Sequence, residues 1–312
     1  MKAVQINKYG GSEVIEINDN VPKPSIKDGQ VLVEVYAGSI NPFDLFVISG
    51  AMQDRVPLKF PATVGGDFAG KVTDTNNSSD FKIGDAVYGS ANLIVGNSGG
   101  FAEFAAVNYA ELALKPKQIS FEEAASLPLV GVAAVQALED HIHLSSGQKI
   151  LIHGGAGGIG SIAIQLGKVL GAYIATTVST EDMDFAQSLG ADQVIDYKNE
   201  DFNGILKDYD AVFTTVGGYA VDKSFAVLKK NGILVSMLGQ PNEELAKKHE
   251  VMAIGQRTNT TTVLLNRLAK YVEEGKIKPK VDKVFPIDQA REAFEYQENQ
   301  SPKGKVVIKI KK

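Results

Sequence analysis

A run of glycines at residues 155–160 limits the fold of this chain more than any other segment. It reads Gly-Ala-Gly-Gly-Ile-Gly and matches the pattern G-x-G-x-x-G. It directly follows Lys149–His153, a run that predicts a buried strand, and it precedes a segment with the apolar spacing of a helix. Glycines allow a tight turn there, and backbone N–H groups at the helix N-terminus can approach a pyrophosphate. The alternative is a tight strand-to-helix turn that binds no ligand. The spacing does not fit a Walker A loop.

Strands and helices alternate after position 120. Apolar runs at Tyr173–Val178, 193–195, 209–213 and 233–237 predict strands. Between them, segments 180–189 and 220–230 have helical character and are followed by glycines. This order predicts a parallel sheet covered by helices on both faces.

The first 115 residues or so have a different pattern. Short apolar runs are separated by Gly, Asn, Asp and Ser clusters, which predicts a small β barrel or sandwich. The alternating segment 305–310 is expected to rejoin this β domain. We therefore predict an α/β protein with one domain at 1–118 and 266–312 and a second domain at 119–265.

Composition excludes several function classes. The chain contains no cysteine, which removes disulfides, thiolate nucleophiles and zinc sites that use sulfur. Its net charge is −5, so nucleic acid is not an expected partner, and the basic stretch 276–283 is interpreted as a solvated loop. No stretch approaches the roughly 20 apolar residues that span a bilayer. No G-x-S-x-G elbow of a hydrolase occurs. Without a recognisable signal peptide, the expected location is the cytoplasm.

The choice of cofactor depends on the end of the second strand. NAD-binding units usually carry an acidic residue about 20 positions after the glycine loop. Here Ser179 lies at that distance from Gly160 (179 − 160 = 19), and no acid occurs before Glu181. Hydroxyl donors can bind a 2′-phosphate, which a carboxylate would repel, so NADPH is predicted. The missing acid also disfavours a methyltransferase. Alternatively, Ser179 or Thr180 only caps the next helix, and no Lys or Arg is adjacent to Ser179 in sequence.

With these motifs in place, the chain resembles the medium-chain dehydrogenase/reductase superfamily, and within it the zinc-independent quinone oxidoreductase and enone reductase branch. The resemblance covers nearly the whole chain. It is carried by short motifs at 9–14, 39–44, 84–87, 131–138, 153–160, 189–192, 195–197, 215–218 and 304–307. It implies a GroES-like β domain built from both chain ends, with an inserted Rossmann domain that contains a doubly wound parallel sheet.

The resemblance also implies roles for individual residues. Ser179 and Tyr197 would line the 2′-phosphate pocket, and Val216 and the turn 237–239 would lie beside the nicotinamide. The implied catalytic residues, which would face the substrate, are Asn41 and Asp44. The implied cofactor-binding residues are Asn41, Gly155, Ala156, Gly157, Gly158, Ile159, Gly160, Ser179, Tyr197, Val216, Leu238 and Gly239.

Structural roles remain open for some of these positions, and two positions depart from the family. Asn41 precedes a proline and could form a turn, Asp44 could cap a helix, and Tyr197 could serve packing. Many relatives have Thr where this chain has Ala133 and Asp where it has Thr214. These departures leave open how the cofactor is oriented.

No metal site is predicted. Zinc-dependent relatives carry Cys where this chain has Ser39 or Ile40, and Gly-His-Glu where it has Gly-Gly-Asp at 65–67. They also carry four structural cysteines, which are missing here. His141 and His143 lie at a predicted helix end, where a cation suits the helix dipole, and they are not interpreted as ligands.

Together these observations predict an NADPH-dependent oxidoreductase that transfers hydride to a quinone or an α,β-unsaturated carbonyl without zinc. The alternative is an NADPH-binding regulatory or interaction protein with little catalysis. The resemblance implies a homodimer formed through the edge of the Rossmann sheet. The substrate pocket is expected in the irregular segments 47–59 and 90–100, whose sequences do not distinguish quinones from enones.

Overall fold

The computed structural model describes residues 1–54, 57–76 and 80–311, and these divide into two compact units. The first unit comprises 1–129, 260–273 and 279–312, and the second comprises 130–259 and 274–278. The predicted boundaries, 1–118 with 266–312 and 119–265, differ from this division mainly at 119–129 and 260–265. The difference has a physical basis at Phe121–Ala125, a helix that packs against strands of the first unit.

The strands in chain order are β1 Ala3–Ile6, β2 Ile15–Asn18, β3 Gln30–Ser39, β4 Ala62–Thr63, β5 Asp67–Asp74, β6 Ala86–Ser90, β7 Phe104–Asn108, β8 Leu112–Leu114, β9 Lys149–His153, β10 Tyr173–Val178, β11 Gln193–Asp196, β12 Tyr209–Thr214, β13 Leu228–Ser236, β14 Met252–Gly255, β15 Val281–Pro286 and β16 Lys305–Lys309. The α-helices are α1 Pro42–Ile48, α2 Phe121–Ala125, α3 Pro128–Val135, α4 Gly158–Val169, α5 Met183–Ser188, α6 Phe202–Ile205, α7 Tyr219–Ser224, α8 Glu243–His249, α9 Thr262–Glu273 and α10 Ala290–Asn299.

The second unit is built on a six-stranded sheet in the order β11-β10-β9-β12-β13-β14. Every neighbouring pair in it is parallel. The order reverses direction at β9, as in doubly wound sheets, so the predicted Rossmann architecture is confirmed. Leu151, Val212 and Phe225 are fully buried in its core, and burial of such side chains contributes about 1.5–3 kcal/mol each.

The first unit is mainly antiparallel. A three-stranded sheet has the order β2-β1-β4, and a larger sheet has the order β15-β16-β3-β5-β6-β8, with β7 also paired to β3. The strand β16 pairs antiparallel with β3, which confirms that the C-terminal segment rejoins the N-terminal β domain. Phe101 and Phe294 meet edge to face in one core, with ring centroids 5.9 Å apart.

Local sequence signals explain several element boundaries. Helix α2 begins with a capping box, because the Ser120 hydroxyl accepts from Glu123 N at 3.1 Å and the Glu123 carboxylate accepts from Ser120 N at 2.8 Å. Helix α4 buries Ile162 and Leu166, as its apolar spacing predicts, and the chain turns after it at Gly171 with φ +81°.

Two local predictions for the second unit are wrong. The helix predicted at 220–230 ends at Ser224, and β13 begins already at Leu228. Asn231, interpreted as part of a helix stop, has φ 62° and lies within that strand, near an irregularity in its pairing with β12. The edge strand β14 was not predicted, because only four residues with little alternation form it.

Candidate active site

All of the residues predicted to bind the cofactor except Asn41, which lies in the first unit, follow the strands of the parallel sheet in the second unit. Residues 155–160 follow β9, Ser179 follows β10, Tyr197 follows β11, Val216 follows β12, and Leu238 and Gly239 follow β13. Because the five strands are parallel neighbours, their carboxyl ends share one edge. That edge is the usual ligand site of doubly wound sheets. The structure therefore brings these predicted residues to one side of one sheet.

The glycine loop is tightly packed at two of its glycines and open at a third. A Cβ on Gly155 would lie 2.2 Å from Thr176 Oγ1, and one on Gly160 would lie 2.1 Å from Gly154 O, so the protein's own packing demands both glycines. Gly157 is different, because it is exposed and its Cβ would meet Gly154 O at an ordinary 3.5 Å. The loop leads into α4, whose first N–H groups have no acceptor within the helix. These groups fit a bound pyrophosphate.

The residues predicted to line the 2′-phosphate pocket lie close together. Tyr197 N donates to Val178 O at 3.1 Å, which places the exposed Tyr197 beside the end of β10 and Ser179. The Ser179 hydroxyl donates to Asp182 Oδ2 at 2.7 Å. The structure adds Lys198, whose Nζ contacts both carboxylate oxygens of Glu181 at 3.0 and 2.9 Å. No cation neighbours Ser179 in sequence. The fold brings Tyr197 next to Ser179, and Lys198, the residue after Tyr197, comes with it.

The loops after β12 and β13, predicted to lie beside the nicotinamide, are tied together. Thr214 Oγ1 donates to Val216 O at 2.7 Å, and Met237 N donates to Thr214 O at 3.0 Å. A Cβ on Gly217 would lie 3.2 Å from Leu238 Cδ1, so the two loops are in contact, while Leu238 is 65% exposed. Thr214, where many relatives carry Asp, thus holds the conformation of the Val216 loop.

His153 ends β9 and anchors the strand to its neighbours. Its Nδ1 lies 2.8 Å from Thr177 Oγ1 and its Nε2 lies 2.9 Å from Ser224 Oγ. The Ser224 hydroxyl donates to Ala220 O at 2.7 Å, so it accepts from Nε2–H, and the Thr177 hydroxyl donates to Nδ1. Burial lowers the pKa of His153 to about 4. The ring is therefore neutral at pH 7, and its role is structural.

In the first unit, the two predicted catalytic residues belong to a buried polar cluster. Asn41 N donates to the Asp44 carboxylate at 2.7 Å, so Asp44 caps the N-terminus of α1. Asn41 Nδ2 donates to Asp67 Oδ2 at 2.9 Å, and the same oxygen accepts from Leu129 N at 3.1 Å. The Lys305 ammonium donates to Asn41 Oδ1 and to Ile40 O. We call Asn41, Asp44, Asp67 and Lys305 the buried quartet.

Burial controls the ionisation of the buried quartet. Desolvation raises the pKa of Asp44 to about 7, opposed by its hydrogen bonds from the backbone of Asn41 and Gly66. Desolvation also raises the pKa of Asp67, while the charge of Lys305 lowers it. The pKa of Lys305 falls to about 8 for the same reason. Burial thus brings the pKa of Asp44 close to neutral pH.

The buried quartet leaves Asn41 little freedom. Its side chain is 2% exposed, its Oδ1 accepts from Lys305, and one N–H of Nδ2 is donated to Asp67. Its remaining N–H is the only donor the amide can offer to another group. Asp67 and Lys305 were not predicted as site residues. Lys305 lies in the motif 304–307 that carries the family resemblance, and Asp67 lies in the Gly-Gly-Asp segment that replaces Gly-His-Glu of zinc-dependent relatives.

Metal ligands do not assemble in the described ranges. Within 1–54, 57–76 and 80–311, no three His, Asp or Glu side chains are grouped so that they could hold a metal ion. Of positions 39, 40 and 65–67, which carry ligands in zinc-dependent relatives, Ile40 accepts a hydrogen bond from the ammonium of Lys305 through its carbonyl, and Asp67 attracts the same ammonium. Of the segments expected to form the substrate pocket, positions 55 and 56 lie outside the described residues.

Known proteins similar to this chain were found by sequence and by structure. The family described as "Alcohol dehydrogenase GroES-like domain" matches residues 27–117, and the family described as "Zinc-binding dehydrogenase" matches residues 189–308. The chain is 38% identical to the NADPH-dependent alkenal/one oxidoreductase, chloroplastic, of Arabidopsis thaliana, over 99% of this chain and 79% of the relative.

Solved structures agree with this similarity over the full length. A quinone oxidoreductase from Coxiella burnetii is 32% identical with a TM-score of 0.90, covering 100% of this chain and 99% of the other. The Escherichia coli quinone oxidoreductase complexed with NADPH is 25% identical with a TM-score of 0.85, covering 99% and 100%. In the described part of this chain, no helix has the length and apolar character needed to cross a membrane.

Proposed function

The chain belongs to the medium-chain dehydrogenase/reductase superfamily, and we propose that it is an NADPH-dependent oxidoreductase that reduces quinones or α,β-unsaturated carbonyls without a zinc ion. The observation that carries this proposal is the glycine loop at the carboxyl edge of the parallel sheet, with Gly157 exposed and the N-terminus of α4 behind it. The similarity to an alkenal/one oxidoreductase and to quinone oxidoreductases supports both substrate classes.

The described residues fit the cofactor and divide its binding among them. Residues 155–160 would bind the pyrophosphate, Ser179 and Tyr197 the adenosine ribose, and Val216, Leu238 and Gly239 the nicotinamide side. Bound NADPH would supply the hydride. The contact between the Val216 and Leu238 loops supports a fixed orientation there.

Asn41 and Asp44 are proposed to act on the substrate. Reduction of a conjugated carbonyl places negative charge on its oxygen, which a hydrogen-bond donor stabilises. The remaining N–H of Asn41 is suited to this because Asp67 and Lys305 fix the orientation of the amide. Asp44, with its pKa raised to about 7, can hold the proton that the product requires.

Zinc-independence is supported by the charge inside the buried quartet. The ammonium of Lys305 contacts Asn41 Oδ1 and Ile40 O and is attracted by Asp67. It already supplies the positive charge that buried carboxylates need, and it would repel a divalent cation. Without a metal to polarise a carbonyl, oxidation of simple alcohols is not expected.

A homodimer and a cytoplasmic location are part of the proposal. The dimer would form through the edge of the parallel sheet at β14, where Met252 is 59% exposed. Because one relative is chloroplastic, the cytoplasmic location is tested by localising a tagged form of this protein in cells.

The proposal is tested by following oxidation of NADPH and NADH at 340 nm with a quinone, a 2-alkenal and a saturated aldehyde as a control. We expect NADPH oxidation by the quinone or the 2-alkenal, none by the saturated aldehyde, and no effect of a chelator. Loss of activity on chelation would contradict zinc-independence. NADPH binding without oxidation by any acceptor would instead support the alternative, a regulatory protein, which the departures at Ala133 and Thr214 favour.

A further inference from the structure

An ion pair between Lys198 and Glu181 lies among the residues predicted to line the 2′-phosphate pocket. Lys198 Nζ contacts both carboxylate oxygens of Glu181, at 3.0 and 2.9 Å. Both side chains are accessible, with 46% of Lys198 and 67% of Glu181 exposed. The pair joins the segments that follow β10 and β11, which carry Ser179 and Tyr197. The cation that follows Tyr197 in the chain is therefore bound to a carboxylate of the protein.

The hydroxyl groups of the same pocket also donate hydrogen bonds to carboxylates of the protein. Ser179 Oγ donates to Asp182 at 2.7 Å, and Thr180 Oγ1 donates to Asp196 at 2.6 Å. The hydrogen bond from Thr180 lowers the pKa of Asp196, and the hydrogen bond from Lys198 lowers the pKa of Glu181 to about 2. These two carboxylates are charged at neutral pH, so the pocket surrounds its cation with negative charge.

We propose that Glu181 sets the preference of this chain between NADPH and NADH by competing with the 2′-phosphate for the ammonium of Lys198. This inference rests on the proposed function, since it concerns the same dinucleotide site. It differs from the expectation drawn from sequence, in which the hydroxyl donors at the end of the second strand and the absence of an acid before Glu181 favoured NADPH.

The competition follows from the chemistry of the two cofactors. A 2′-phosphate needs cationic donors, and it gains Lys198 only if Glu181 releases it. Because the pair is exposed, its separation costs little, but the freed Glu181 carboxylate then repels the phosphate. A 2′-hydroxyl makes no such demand and can donate to the Glu181 carboxylate, as in NAD-binding units. Glu181 is therefore expected to weaken the binding of NADPH and to strengthen the binding of NADH.

Three substitutions separate these effects. Glu181→Gln keeps the size of the side chain and removes its charge. It is expected to lower the dissociation constant of NADPH about tenfold, because the competing charge is gone. It should raise the dissociation constant of NADH severalfold, because the acceptor for the 2′-hydroxyl loses its charge. Lys198→Ala is expected to weaken NADPH about tenfold with less than a twofold effect on NADH. Asp184→Asn, which removes one exposed charge from the same helical segment, is the matched control, with less than twofold effect on either.

The experiment is a fluorescence titration of NADPH and NADH, without acceptor, at two ionic strengths. The absence of tryptophan gives a low protein background. The expected result is a change of at least tenfold in the ratio of the two dissociation constants for Glu181→Gln, diminishing at high salt. An unchanged ratio, or a change equal to that of Asp184→Asn, overturns the inference while leaving the proposed function intact. If the wild-type chain binds neither dinucleotide, both are overturned.

Discussion

Replacement of Lys305 by methionine tests whether the buried quartet is held by its single ammonium. Methionine keeps a long unbranched side chain but removes the charge. Lys305 is 4% exposed and Asp67 is 1% exposed, so the variant leaves a buried carboxylate without its cation. Lys305 and Asp67 attract each other as buried opposite charges, and removing one partner of a buried charge pair costs about 3–5 kcal/mol.

The structure refines this magnitude. Asp67 keeps its hydrogen bonds from Asn41 Nδ2 at 2.9 Å and Leu129 N at 3.1 Å, which favours the lower end, about 3 kcal/mol at pH 7.5. The variant can also relieve the penalty by binding a proton on Asp67, whose pKa burial already raises. While Asp67 takes up this proton on folding, the free energy of unfolding of the variant rises by up to about 1.4 kcal/mol for each unit by which the pH is lowered. The destabilisation should therefore fall by about 1–2 kcal/mol between pH 7.5 and pH 5.

Urea unfolding followed by circular dichroism measures both quantities. The matched control is Lys309→Met on the same strand, where Lys309 pairs with Glu122 at 2.9 Å and is 45% exposed. This control should cost less than about 1 kcal/mol and show no such pH dependence. In the double variant Lys305→Met/Asp67→Asn, the cost should be at least about 1.5 kcal/mol below the sum of the single costs. Additive costs, or a cost that is the same at pH 5 and 7.5, would refute the reasoning.

Three further predictions concern single residues. The pKa of Asp44 is raised above its unfolded value of 3.8 to about 7, so its contribution is fully present below pH 4 and is lost as pH rises through 7. The urea midpoint of the wild type should therefore fall relative to Asp44→Asn between pH 5 and 7.5, and parallel midpoints would contradict this. Gly160→Ala places a Cβ 2.1 Å from Gly154 O and should weaken NADPH binding at least about tenfold in a titration. The control Gly204→Ala, whose Cβ meets no atom within 4 Å, should leave NADPH binding unchanged. Equal NADPH affinities of the two variants would show that the loop tolerates the added Cβ. Asn41→Ala should lower the turnover number with a quinone or enone by about a hundredfold while NADPH affinity stays within a few-fold, and unchanged turnover would remove Asn41 from the site.

The parallel sheet of the second unit could be predicted from sequence because local patterns specify it. The apolar run of β9, the glycine loop and the spacing of α4 follow one another within 149–169, so a single window contains strand, turn and helix. The error at 220–230 arose where this locality fails, since β13 begins before the Asn231-Gly232 turn signal rather than after it.

The polar partners of the site could not be predicted in the same way. Lys305 and Lys309 lie on the same face of an alternating strand, so periodicity gives them the same environment. In the structure Lys305 is buried and Lys309 is exposed, because only Lys305 lies next to Asn41 and Asp67. The pairing of Lys198 with Glu181 likewise depends on the proximity of two loops, which are 17 positions apart. Neither neighbourhood is encoded in a local pattern.

The pairing of β16 with β3 also has a consequence for biosynthesis. The contact between Lys305 and Asn41 joins positions 264 apart, so almost the entire chain is translated between its two partners. A nascent chain that has not reached Lys305 holds Asp44 and Asp67 without their cation, and residues 37–39 of β3 without the neighbour they pair with in the folded protein. The second unit, which is nearly continuous in sequence, can fold on the ribosome, whereas the first must wait for the last strand. In the order of synthesis, the ammonium of Lys305 is the final component of the buried quartet to arrive.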